Sequence, residues 1–283
     1  YRVARGRLGS WNPTSFALLI VNSIFCTAAA WFVGVLAYML AGSWSISVIA
    51  AFAYLLNFSV ANYQLTGLVD SADACLFALL TWALLSRKWV LLPAIGLVAG
   101  LTKETFIPIG FVFAGTWVLS DSSEQRAKKM LAVVAMAVVG LITVLVVRSS
   151  IDHTLVLPWN IVSQERSAEG GFIRNLLRAG AEWNLWLTII WLPFVFIAAK
   201  CIPKGWSRGA LATAVVTVAL SAWNDAGPAA GRSVVSAGNV ARPLFDVVGP
   251  LFAISFALTT EIAQKAVHFG SRSSDLQQSP PRS

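Results

Sequence analysis

"GLVAGLTKETFIPIG", residues 96–110, sets Lys103 beside Glu104 in an apolar run from Trp89 to Leu119 that carries no other charge. As one helix the 31 residues of that run would measure roughly 46 Å, too long for a single crossing of a hydrocarbon core of about 30 Å. Broken at Thr102–Lys103–Glu104, the run becomes two short helices that turn near a membrane surface, with the charges at the tip of the hairpin. Gly96 and Gly100 stand at small-xxx-small spacing, which lets the first helix pack closely on a neighbour. Pro108 falls in the first turns of the second helix, where a missing N–H is tolerated.

The rest of the chain has the same character. Of 283 residues, 57% are hydrophobic and 12% charged, far from the balance of a soluble domain. The reading is an all-α, polytopic transmembrane helix bundle. Apolar windows lie near 15–41, 44–62, 72–85, 89–102, 105–119, 130–147, 184–199, 210–223 and 244–260, about nine membrane segments in all. Several are shorter than the usual ~20 residues, as expected of tilted partners and paired half-spans. Residues 1–14 read as an outer juxtamembrane segment, 15–262 as the helical domain, and the Ser- and Pro-rich 263–283 as a disordered cytoplasmic tail.

The net charge of +8 does not point to nucleic acid, because the basic residues sit in loops beside apolar windows, where they orient the chain and meet anionic lipid. With residues 1–14 outside, "SRK" 86–88, "SEQRAKK" 123–129 and "KCIPKGWSR" 200–208 all fall inside. Every lysine but Lys103 then faces the cytoplasm. Trp44, Trp89, Trp117 and Trp206 fall at inner window ends and Trp183 and Trp223 at outer ones, as interfacial anchors. Cys26, Cys75 and Cys201 read as small core residues, with no secreted disulfide framework.

On the outer side this topology gathers Asp70 and Asp73 from "TGLVDSAD", the loop 148–183, and Asp225, Arg232 and Arg242 from "NDAGPAAGRSVVSAGNVARP", with Asp246 just inside the following window. Ionisable groups at membrane depth cost roughly 2.5–3.5 kcal/mol on insertion scales, so each is a functional candidate. Each also has a structural reading. Asp70 and Asp73 suit either a substrate hydroxyl or the capping of a helix N-terminus. Lys103 suits an anionic head group, or a turn residue snorkelling beside Glu104. Arg242 and Asp246 stand at i, i+4 and can pair with each other. "GFIRNLLRAGAEW" puts Phe172, Ile173, Leu176, Leu177 and Trp183 on one face with Arg174 and Arg178 opposite, the pattern of an amphipathic helix lying on a membrane. His153 and His268, the only histidines, are expected on opposite sides, so no His-based metal site is expected.

The order of these features resembles the GT-C superfamily of integral-membrane glycosyltransferases, the group of the protein O-mannosyltransferases and aminoarabinose transferases. The likeness runs through "YLLNFSVANYQLTGLVDSADACLFALLTWALLSRK", "AIGLVAGLTKETFIPIG" and "NVARPLFDVVGPLFAISFAL", about residues 15–260. It rests on order and spacing, not on a long motif. In that family a span ends in an outer loop with an Asp opening the next helix, followed by a basic inner loop and a short helical pair with a Lys at its tip. Asp70 and Lys103 look like that Asp and that Lys.

The resemblance implies transfer of a sugar from a polyprenyl-phosphate-linked donor to an acceptor on the non-cytoplasmic face of a bacterial-type cell membrane. By it, Lys103 would meet the donor phosphate and Arg242 would assist. Asp70 would be an auxiliary catalytic group, with Glu104, Asp73, Arg232 and Asp246 as further site candidates. It implies no cofactor and leaves a divalent metal open; the partners are the lipid-linked donor, an acceptor and membrane lipid. The family's main catalytic carboxylate lies in a first outer loop, which is expected upstream of Tyr1. Two other classes remain open on the residues alone. A transporter would line a path with Asp70, Lys103 and Arg242, although only one interrupted run is present where such folds commonly have two. A membrane assembly protein would use the charges only to join helices.

Overall fold

The computed structural model describes residues 13–65, 70–121, 125–157, 172–181, 183–224 and 240–277, and among them every regular element is helical. In chain order these are α1 (Pro13–Ala41), α2 (Trp44–Leu55), a π-helical turn (Val60–Gln64), α3 (Asp70–Leu85), a 3₁₀ turn (Trp89–Leu91), α4 (Leu92–Thr102) and α5 (Phe106–Ser120). They continue with α6 (Arg126–Asp152), α7 (Phe172–Gly180), α8 (Trp183–Ile189), α9 (Leu192–Ile197), α10 (Lys204–Asn224) and α11 (Ala241–Gln277). Helices suit this composition because a helix satisfies its own backbone hydrogen bonds wherever water is absent.

Three of these helices carry stretches long and apolar enough to cross a membrane unaided: Phe16–Ala41, Arg126–Asp152 and Ala241–Lys265. The other apolar windows form shorter helices, among them Trp44–Leu55, Phe106–Ser120 and the 3₁₀–α4 unit Trp89–Thr102. The three long ones differ in burial. In α11 78% of the apolar stretch is buried within the protein, against 28% in α1 and 22% in α6. Thus α11 is a central helix, whereas α1 and α6 turn most of their apolar surface outward, with Ile24, Trp31, Leu131 and Val146 each more than 60% exposed. The other central element is α3, buried along nearly its whole length from Asp70 to Leu84.

Aromatic contacts join the centre. Phe77 of α3 packs on Phe106 of α5 with ring centroids 4.7 Å apart, and Tyr54 of α2 stacks on Phe245 of α11 at 5.9 Å. The break at 103–105 occurs as the sequence requires, between α4 and α5. The two arms pack mainly on other helices, α4 against α6 and α5 against α10. Glycine explains the first contact: a Cβ on Gly96 would lie 2.1 Å from the carbonyl oxygen of Met136, and one on Gly100 would lie 2.6 Å from that of Gly140. In an apolar solvent helices associate by close van der Waals approach, which small residues permit.

Several expectations change. Trp117 and Trp206 do not face lipid as anchors: they are 8% and 1% exposed and meet each other at 6.4 Å, filling the α5–α10 interface. Trp44 and Trp183 are exposed, at 73% and 81%. Arg148 belongs to α6 and not to a loop, because the helix runs on to Asp152. The tail is helical to Gln277: α11, already nucleated by packing, propagates through "AQKAVHF" with an i, i+4 Glu261–Lys265 pair on its surface. Residues 1–12, all of 225–239, which hold Asp225 and Arg232, and 278–283 lie outside the described residues, as do the side chains of Arg174, Arg178 and Trp223.

Candidate functional site

The N-termini of α3 and α11, the C-terminus of α4 and the C-terminal part of α6 come together at one end of the bundle, and the sequence's candidates come with them. Asp70, the first residue of α3, is 1% exposed. The Lys103 ammonium lies 2.9 Å from Asp70 Oδ1 and 2.9 Å from Asp73 Oδ2, bridging two carboxylates one turn apart. Arg242, in the first turn of α11, sets its Nε and Nη2 each 2.8 Å from Asp70 Oδ2. Both oxygens of Asp70 are therefore occupied by cations. The i, i+4 pairing of Arg242 with Asp246 does not form, because Arg242 reaches across to α3.

Asp246, 2% exposed, instead accepts a hydrogen bond from Gln64 Nε2 at 3.1 Å. Gln64 ends the π-helical turn and is fully buried; its Oε1 accepts from the Tyr54 hydroxyl at 3.1 Å and from Cys26 Sγ at 3.6 Å. Two carboxylate oxygens, Asp73 Oδ1 and Asp246 Oδ2, are buried without a protein partner. Such groups are expensive to bury, which marks the region as a site and not as ordinary core. Beside the cluster the Ser71 hydroxyl donates to Asn22 Oδ1 at 2.7 Å, tying α3 to α1.

Glu104 turns away from its neighbour Lys103 and pairs with Arg148 of α6. This pair and Lys103 line a cavity of about 290 Å³ whose other walls are Gly100–Thr102, Val144 and Val147. Exposure is graded across the ion cluster. The Asp70 side chain is 2% accessible, those of Lys103 and Arg242 20% and 27%. Burial works against the charge on Lys103, but the carboxylates of Asp73, Asp246 and Asp70 outweigh it and hold the ammonium above lysine's ordinary range. The arrangement is two partly exposed cations that share the Asp70 carboxylate, with Asp73 also on Lys103. It can hold an anion; with both its oxygens engaged, Asp70 itself is poorly placed to take a proton.

Among the described residues no group of three or more His, Cys, Asp or Glu side chains is arranged to hold a metal ion. No family model, no curated protein and no solved structure matches the chain.

The sequence named Asp70, Asp73, Lys103, Arg242, Asp246 and Glu104, and the structure brings the first five into one cluster with Glu104 at its edge. It missed Gln64, Tyr54 and Arg148. The signal for Gln64 was an amide just past the 44–62 apolar window and six residues before Asp70, and for Arg148 a charge directly following the 130–147 window.

Proposed function

We propose that the chain is a membrane glycosyltransferase of the GT-C kind, moving a sugar from a polyprenyl-phosphate-linked donor to an acceptor at the non-cytoplasmic face. The observation that carries this reading is the pair Lys103 and Arg242, drawn from distant parts of the chain onto the buried carboxylate of Asp70 and each left partly exposed. A lipid-linked phosphate needs cations at head-group depth, held in place without being neutralised by exposed acids. In this reading the shorter apolar helices complete about nine membrane segments, and the cluster lies at the outer surface. Lys103 and Arg242 bind the donor phosphate, Asp70 positions them, and Asp73 and Asp246 supply buried negative charge beside them. Glu104 fixes the tip of the hairpin by its pair with Arg148.

The test is sugar transfer from a lipid-linked donor by the protein in proteoliposomes. Lys103→Ala and Arg242→Gln are each expected to lower turnover by about tenfold or more, the loss of a charge-assisted contact. Lys265→Gln, at an exposed pair far along α11, is expected to leave it unchanged. Transfer that is indifferent to both site substitutions sinks the proposal. Substrate flux across the membrane without transfer favours a transporter.

A further inference from the structure

The opposite end of the bundle holds a second cavity, of about 280 Å³, formed by three connections distant in sequence. Arg87 and Trp89 come from the turn between α3 and α4. Ser120 and Asp121 end α5, and Lys129 stands in the first turn of α6. Pro203, Lys204 and Gly205 begin α10. Among the described residues three cations thus line the cavity against one carboxylate, and Leu84, Leu85, Trp89 and Trp117 give it apolar walls.

The cavity is built, not incidental. Lys129 pairs with Asp121 and lies 5.3 Å from the centroid of the Trp89 ring. Arg126 donates to the Asp121 carbonyl through Nε at 3.0 Å and Nη2 at 2.7 Å, which fixes the end of α5. A Cβ on Gly205 would lie 3.1 Å from the Trp117 ring, so α10 starts hard against the aromatic wall. Arg87 and Lys204 have no acidic partner among the described residues. Arg87 also occupies the left-handed backbone region, with φ of 57°, where it ends α3 while Lys88 N–H bonds back to the Ala83 carbonyl at 2.8 Å. Glycine is the usual residue at such a helix end. An arginine there accepts backbone strain and gains a guanidinium at the cavity mouth.

We infer that this cavity binds a phosphate ester, its anionic oxygens between Arg87, Lys129 and Lys204 and its organic part against Trp89 and Trp117. Several cations from separate elements suit an anion that accepts hydrogen bonds in several directions, as phosphate does. The aromatic and leucine walls suit a ligand with an apolar portion, and an anionic lipid head group and a soluble phosphate ester both supply that chemistry. The site is independent of the Lys103 cluster and of the transfer reaction.

The test uses the full chain in detergent, titrated with dioleoyl phosphatidylglycerol, dioleoyl phosphatidylcholine and glycerol 1-phosphate. Retained lipid is counted by native mass spectrometry and the unfolding midpoint is followed in parallel. Wild type is expected to hold phosphatidylglycerol about tenfold more tightly than phosphatidylcholine, whose choline neutralises the same phosphate, and to gain stability only from the former. Arg87→Gln/Lys204→Gln is expected to abolish the preference, and Lys265→Gln to keep it. Displacement of bound phosphatidylglycerol by millimolar glycerol 1-phosphate assigns the site to soluble esters; resistance to it assigns the site to lipid. Equal retention and equal stabilisation by the two lipids in wild type, or a preference that survives the double substitution, overturns the inference. The wild-type comparison decides even if the double variant does not fold.

Discussion

Asp70 and Arg242, 172 positions apart in the chain, meet side chain to side chain at 2.8 Å, so the last long helix is fastened to the head of α3 by a buried carboxylate. The same carboxylate holds Lys103, which makes it the common anchor of three elements. Asp70→Asn should therefore destabilise the fold by about 2–3 kcal/mol, less than the loss of a fully buried partner because both cations retain some solvent. Unfolding midpoints in detergent measure this, and a change under 0.5 kcal/mol refutes the anchoring role.

For Asp246 the expected pattern separates charge from hydrogen bonding. Asp246→Asn keeps an acceptor for Gln64 and is expected to cost under about 0.5 kcal/mol, whereas Asp246→Leu leaves the Gln64 amide unpaired and is expected to cost about 1–3 kcal/mol. The same stability measurement, run on both variants, decides whether the carboxylate is needed for the fold or only for the site. Asparagine as costly as leucine contradicts the hydrogen-bond account.

Glu104 and Arg148 are each a little more than a quarter exposed at their side chains. A double-mutant cycle with Glu104→Gln and Arg148→Gln is expected to give a coupling of about 0.5–1 kcal/mol, the range of partly solvated pairs. Zero coupling shows that the pair does not hold the hairpin tip to α6.

Gly96 and Gly115 make a matched pair for the packing claim. A methyl at Gly96 would strike the Met136 carbonyl, whereas one at Gly115 would meet nothing within 4 Å. Gly96→Ala should cost about 1–3 kcal/mol by overpacking. Gly115→Ala should be neutral or stabilise by up to about 1 kcal/mol through helix propensity. Equal effects at the two positions remove the close-packing explanation of the α4–α6 contact.

The ammonium of Lys103 is held above its ordinary value of 10.5. A raised folded value means that its contribution to stability is fully present below the unfolded value and is lost as pH rises through the folded one. Between pH 7 and 9 this lysine should thus contribute no slope to stability, and the slope should appear only above the ordinary lysine range. Comparing alkaline unfolding of wild type with Lys103→Met tests it; a Lys103-dependent slope near neutrality contradicts the ion-pair assignment.

The helices were legible from residue order because apolar windows and the charges that interrupt them carry the signal. The break at Lys103 shows this most clearly: too long a run and two charges forced a turn that α4 and α5 then make. Partner choice was not legible. Arg242 had a plausible partner four residues away and took Asp70 instead, since i, i+4 geometry is local while the approach of α3 and α11 is tertiary. Gln64 was hidden for a related reason, as an amide just past an apolar window has no charge to stand out and its value lies in the three side chains it joins. Trp117 and Trp206 misled because aromatic residues at helix ends serve equally as membrane anchors and as fillers between helices.

Where α4 meets α6 at Gly96, main chain lies directly on the main chain of Met136, with no side chain between them to yield. Flexible side chains at a helix contact act as cushions that let one helix slide or roll by a fraction of a turn. Without them the depth of the hairpin tip is referenced to α6, and the height of the Lys103 ammonium becomes a property of the scaffold. A tilt of α6 at Met136 therefore carries the hairpin arm with it.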